Sequence, residues 1–68
     1  MSECHLVPDR REGGWKIIGA GTSIPATRAE TQADAIDAAR DELRRDGGGE
    51  VLIHGIAGSV QEKRTVSP

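Results

Sequence analysis

Residues 31–47, TQADAIDAARDELRRDG, are the stretch from which the rest of the fold follows. Thr31 is suited to begin a helix, because its hydroxyl can accept a hydrogen bond from a free backbone N–H of the first turn. Gly47 is suited to end it, because glycine readily takes the left-handed conformation found after a last helical turn. Between them, small and apolar residues recur at spacings of three and four: Ala35, Ile36, Ala39 and Leu43. This narrow, alanine-rich stripe predicts a helix that lies close against a sheet.

Short strand patterns flank the predicted helix on both sides. Alternating and apolar runs predict strands over residues 4–8, 15–20, 23–28, 50–54 and 60–66. Glycine-containing stretches predict turns over residues 9–14 and 55–59, and the glycines at 47–49 are expected to form a flexible link. The predicted order is β-β-β-α-β-β. We therefore expect an α+β fold in which a small antiparallel sheet carries one helix on one face. We expect one small domain over residues 1–68, with an ordered core over about 4–66.

Composition limits what the protein does. A chain of 68 residues buries little surface and is marginally stable alone, so a second subunit is expected to help. The formal net charge of −2 argues against a general nucleic-acid binder, which usually carries a basic excess. The lone Cys4 cannot form an internal disulfide and fits a cytoplasmic location. No apolar run approaches the ~20 residues of a membrane span, and no signal peptide is visible. Trp15, the only aromatic residue, is expected in the core or over the sheet edge; the alternative is a stacking platform for a base.

The residues that carry chemistry do not form a recognisable site. The segment GAGTSI at 19–24 begins like a dinucleotide-binding fingerprint, but it lacks the third glycine and the following helix, so it predicts a hairpin turn. Cys4 and His5 are adjacent on a predicted strand and must point to opposite faces, which excludes a nucleophile pair between them. A metal bound by His54 with either of them would lack further ligands. We therefore predict no catalytic residue, no metal and no cofactor.

Four motifs resemble the small prokaryotic domains grouped as domain-of-unknown-function family 2188. They are HLVP at 5–8, GGW at 13–15, TQADAIDAAR at 31–40, and VLIHG followed by GSVQEK within 51–63. The resemblance covers about residues 4–65, and residues 19–28 depart from the usual family pattern. It implies no established activity and no catalytic residues. Some members look like bacterial stress-associated accessory proteins, which implies a cellular context without a mechanism.

Two functional hypotheses follow. The first is a non-catalytic interaction module that self-associates, as a homodimer, or docks on a protein partner through the sheet face that the helix leaves uncovered. Its candidate interface residues are Ile18, Ile24 and Leu52. The alternative is a nucleic-acid-binding accessory domain that uses a basic strand and loop surface. Its candidate contacts are Arg10, Arg11, Lys16, Arg28, Lys63 and Arg64.

Overall fold

The computed structural model describes residues 2–20 and 27–68. Within them the chain forms five strands and one helix in the order β-β-β-α-β-β, as predicted. The elements are β1 (Ser2–Pro8), β2 (Trp15–Ala20), β3 (Thr27–Ala29), α1 (Gln32–Arg45), β4 (Gly49–His54) and β5 (Val60–Val66). The predicted third strand, over residues 23–28, lies mostly outside the described residues, as do Ile24 and most of the GAGTSI segment.

The five strands form one sheet in the spatial order β3-β2-β1-β4-β5. The pairs β1–β2, β2–β3 and β4–β5 are antiparallel, whereas β1 and β4, at the centre, are parallel. The α+β architecture is confirmed, but the prediction of a wholly antiparallel sheet is wrong. The reason is that α1 is a crossover between β3 and β4, so β4 runs in the same direction as β3. β3 itself runs in the same direction as β1, because both are antiparallel to β2. β4 consequently enters beside β1, with the same direction as β1.

The helix packs on one face of this sheet, where the core lies. Three strands contribute fully buried side chains to that face, Leu6, Ile17 and Val51, and α1 contributes Ala35, Ala39 and Leu43. The buried residues of α1 are those of the predicted alanine-rich stripe. Trp15 is partly buried and packs against this core, in agreement with the core interpretation of this residue.

Both predicted helix ends are confirmed. The Thr31 hydroxyl accepts a hydrogen bond from the Asp34 N–H at 3.1 Å. At the other end Gly47 has a φ of +89°, and its N–H donates to the Arg44 carbonyl at 3.3 Å. The Gly48 N–H donates to the Leu43 carbonyl at 2.6 Å. These two bonds form a Schellman motif. The glycines at 47–49 are therefore an ordered helix end that leads into β4, rather than the flexible link expected.

α1, the helix that the described residues contain, does not have the length and apolar character required to cross a membrane.

Candidate functional site

The sheet face opposite α1 is left uncovered by the elements that the structure describes. Cross-strand partners in a sheet share a face, so the strand registers align the side chains of this surface in rows. The middle row runs Ile18, His5, Leu52 and Lys63 across four strands. We call this surface the open face and define it by the middle row together with these further residues: Glu3, Val7, Lys16, Arg28, Glu50, His54 and Thr65.

The middle row contains two of the predicted interface residues. Ile18 is 42% exposed, which is high for an isoleucine inside a strand. Leu52 lies on the same face but is only 9% exposed, between His5 and Lys63 on the neighbouring strands. Ile18 therefore supplies the exposed apolar area of this row. The side chain of Leu52 is covered by its neighbours in the row and exposes little area.

The two ends of the open face carry opposite charge. At one end Glu3 and Glu50 are cross-strand neighbours, and the Lys63 Nζ lies 3.3 Å from the Glu50 Oε2. We call this the acidic end. At the other end Lys16 and Arg28 are cross-strand neighbours, and we call this the basic end. Among the described residues, neither Glu3 nor Lys16 has an ion-pair partner, so each end retains an uncompensated charge.

Arg28 at the basic end is neutralised by a carboxylate clasp on the β1–β2 turn. Its Nη1 lies 2.6 Å from both the Asp9 Oδ2 and the Glu12 Oε2, and its Nη2 donates to the Gly13 carbonyl at 2.7 Å. The Asp9 Oδ1 accepts from the backbone N–H groups of Arg11 and Glu12 at 2.9 and 3.2 Å. The Glu12 and Arg11 N–H groups, and then the Arg28 guanidinium, hold the pKa of Asp9 below its ordinary value. The clasp ties this turn to β3.

Two histidines form a hydrogen-bonded pair in the middle of the open face. The His5 Nδ1 lies 2.8 Å from the His54 Nε2, and the His54 Nδ1 lies 2.9 Å from the Gly58 carbonyl oxygen. The ring centroids are 5.1 Å apart. A nitrogen of an imidazole ring lies about 1.15 Å from the centre of the ring. The centroid separation is close to the N···N distance plus this length for each ring, so the two nitrogens point at each other, as in a linear hydrogen bond.

Sequence reasoning allowed His54 to approach Cys4 or His5 but did not predict this hydrogen bond, because β1 and β4 are far apart in the chain and their adjacency follows only from the strand order. Cys4, by contrast, is fully buried on the helix side, on the opposite face from His5, as predicted. Burial, and then the Glu42 and Asp46 carboxylates, raise the pKa of its thiol. Among the described residues, no group of three or more histidine, cysteine, aspartate or glutamate side chains is arranged to hold a metal ion.

The six basic residues of the nucleic-acid hypothesis do not share one surface. Arg11, Lys16 and Arg28 line one groove, which the carboxylates of Asp9 and Glu12 also line. Arg10 lies in the adjacent turn. Lys63 lies in the middle row of the open face, whereas Arg64, opposite Val51, lies on the helix side and pairs with Glu62. The basic groups that do gather are thus mixed with acidic ones.

Residues 4–66 match a family described as uncharacterized proteins conserved in bacteria, domain of unknown function 2188. No curated protein and no solved structure matches the chain significantly. Because the matched region covers nearly the whole chain, with α1 and all or most of each strand, the chain belongs to this bacterial family, as its motifs had indicated.

Proposed function

We propose that this protein is a non-catalytic interaction module that self-associates through the open face. The observation that carries the proposal is the arrangement of this face, in which an exposed isoleucine stands in a middle row between an acidic end and a basic end. An apolar surface with charged borders is typical of a protein interface. The mixed charge around Arg28 gives the nucleic-acid alternative no comparable support.

The distribution of charge favours a second copy of this chain as the partner. A two-fold axis that crosses the strands at the level of the middle row stacks two open faces with their strands antiparallel. This symmetry places the acidic end of each copy over the basic end of the other. Glu3 of one copy then lies near Lys16 of the other, twice in the dimer. The opposite orientation, with parallel strands, would stack like charges and is disfavoured.

The size of the open face sets the expected strength. Five strands about 4.8 Å apart and about six residues long cover roughly 20 Å by 20 Å, or about 400 Å² per copy. Stable interfaces bury about 800 Å² per partner. We therefore expect a weak, concentration-dependent dimer rather than an obligate one.

Ile18→Glu is expected to abolish self-association while leaving the fold intact. The substitution places two carboxylates next to each other at the axis, in an interface that excludes water. Because Ile18 is 42% exposed in one copy, the same change costs the monomer little. Sedimentation equilibrium at about 10–500 µM protein should show a dimer for the unmodified chain and a monomer for the variant.

Ile56→Glu is the matched control, since Ile56 is 70% exposed and lies in the turn between β4 and β5, outside the open face. It introduces the same charge and should leave the dimer unchanged. A protein that stays monomeric throughout this concentration range, or a dimer that survives Ile18→Glu, would disprove the proposal. Loss of the dimer in Ile56→Glu but not in Ile18→Glu would place the interface at the β4–β5 turn instead.

Charge reversal tests the antiparallel orientation. Glu3→Lys alone and Lys16→Glu alone should each weaken the dimer, because each places like charges opposite one another across the interface. The double variant, Glu3→Lys with Lys16→Glu, should recover most of the lost affinity, and the recovery should shrink as salt rises. If the double variant is weaker than both single variants, the two residues do not face each other and the orientation is wrong.

A further inference from the structure

The hydrogen atoms of the histidine pair can be assigned from its partners. A carbonyl oxygen only accepts hydrogen bonds, so the His54 Nδ1, which lies 2.9 Å from the Gly58 carbonyl, carries a hydrogen. In the neutral ring the His54 Nε2 is then an acceptor, and the hydrogen in the 2.8 Å contact belongs to the His5 Nδ1. Among the residues that the structure describes, the His5 Nε2 accepts no hydrogen bond, so it is left as the ring nitrogen of the pair with a free lone pair.

This assignment limits how many protons the intact pair can take. A first proton binds the His5 Nε2 and leaves both hydrogen bonds in place, with the bond between the rings strengthened by charge. A second proton has to bind the His54 Nε2, which is already the acceptor of that bond. Two N–H groups would then point at each other across 2.8 Å, and the pair would separate. Acid therefore first charges the pair and then breaks it.

The pair lies where that charge matters most. His5 stands in the middle row between Ile18 and Leu52, at the level of the proposed two-fold axis. In a face-to-face dimer the His5 rings of the two copies lie over each other. If each ring carried a positive charge, association would bring two like charges together and would also remove both from water. The repulsion and the lost hydration both oppose association.

We propose that the hydrogen-bonded His5–His54 pair makes self-association of the open face dependent on pH, so that the dimer forms with the pair uncharged and dissociates when the pair binds protons. This inference rests on the proposed function. It adds that protons regulate association at that interface.

The charged groups around the pair set the direction of the effect. On the same face, Glu3 and Glu50 lie toward the acidic end and Lys16 toward the basic end, while Arg28 and Lys63 are paired with carboxylates. In the proposed dimer the acidic end of the partner also comes over His54 and partly offsets a positive charge there. The two His5 rings at the axis have no such compensation, so the net effect of acid is dissociation.

The test is the dimer dissociation constant between pH 7.5 and 5.5, measured by sedimentation equilibrium on the unmodified chain and on the double variant His5→Asn with His54→Asn. The chain contains only two histidines, so the double variant lacks every imidazole and retains all other titrating groups. We expect the dissociation constant of the unmodified chain to rise at least about tenfold as pH falls. The reason is that each proton that must leave before two copies associate changes the dissociation constant by up to tenfold per pH unit. The double variant should show little change.

If the double variant does not fold, His5→Asn alone serves, because it removes the free lone pair and keeps the His54–Gly58 hydrogen bond. Nitrogen-15 shifts of the histidine rings at pH 7.5 give a second measurement, which does not need a dimer. Both rings should carry their hydrogen on Nδ1.

The outcomes separate this inference from the proposed function. A dimer whose dissociation constant shows the same pH dependence in the unmodified chain and in the double variant would overturn the inference and leave the proposed function standing. A chain that never associates would overturn both. Rings that carry their hydrogen on Nε2 would overturn the hydrogen assignment on which the inference rests, because the His54 Nε2 would then donate to the His5 Nδ1 and the His54 Nδ1 could not donate to the Gly58 carbonyl.

Discussion

Leu43→Ala is expected to lower the midpoint of thermal unfolding by at least about 10 °C. Leu43 is fully buried and anchors the last turn of α1 against the sheet. Truncation of a buried leucine to alanine costs about 2–5 kcal/mol, because apolar contacts are lost and a cavity remains. A domain of 68 residues has a total stability of only about 3–10 kcal/mol. Each kcal/mol shifts the midpoint of so small a domain by about 4–8 °C.

Circular dichroism during heating measures this effect, and Arg44→Ala is the control. Arg44 is adjacent and exposed, and its nearest carboxylate contact, to Asp41, is 3.9 Å long. Its removal should change the free energy of unfolding by no more than about 0.5 kcal/mol. Similar midpoints for Leu43→Ala and Arg44→Ala would mean that the C-terminal turn of the helix does not hold the sheet.

Gly49→Ala is expected to be nearly as damaging, for a different reason. A Cβ atom at this position would overlap the Ser2 carbonyl oxygen and lie 2.8 Å from the Ser2 carbonyl carbon. Ser2 and Gly49 are partners in the parallel pairing of β1 with β4, so the overlap is between two backbones. No side-chain rotation can relieve it, and the two central strands would have to separate at this end. We expect a loss of several kcal/mol in the free energy of unfolding, in the range of the most damaging single substitutions.

Gly47→Ala is the matched control for this substitution. Gly47 has a φ of +89°, but a Cβ atom there meets nothing within 4 Å. Its cost should be limited to the backbone strain of the left-handed region, about 1–2 kcal/mol. Urea unfolding of both variants compares the two effects directly. If Gly47→Ala proved the worse of the two, close contact between β1 and β4 would not be what requires glycine at 49.

Marginal stability connects these predictions with self-association. The core is small, and a dimer that binds only the folded state adds stability as protein concentration rises. The unfolding midpoint of the unmodified chain should therefore increase with concentration near the dimer dissociation constant. In the Ile18→Glu variant, which is expected to be monomeric, it should not.

The elements of this fold were predictable because their causes are local. The helix over Gln32–Arg45 follows from an apolar spacing of three and four, a threonine cap and a glycine stop. The strands Trp15–Ala20 and Val60–Val66 appear with the predicted bounds. The glycines at 47–49 were misjudged as flexible, because composition does not reveal that Leu43 and Arg44 carbonyls accept hydrogen bonds from this segment.

The site was only partly predictable, since it depends on which strands are neighbours. Alternation placed Ile18 on the face away from the helix, and this interpretation needed no knowledge of strand order. The histidine pair did need it, because His5 and His54 meet only when β4 lies beside β1 and parallel to it. In the expected antiparallel sheet their approach was one option among several.

The amino-acid sequence by itself determined the helix, most of the strands and the face on which each side chain lies, because these depend on periodicity and on capping within a few residues. The tertiary structure alone decided that the centre of the sheet is parallel, that Arg28 is held by two carboxylates, and that two histidines share a hydrogen bond on the open face. Those contacts join residues 16 to 49 positions apart. The contacts of Arg28 need β3 to pair with β2. The histidine contact forms only when the helix, by burying its alanine stripe, brings β4 back against β1.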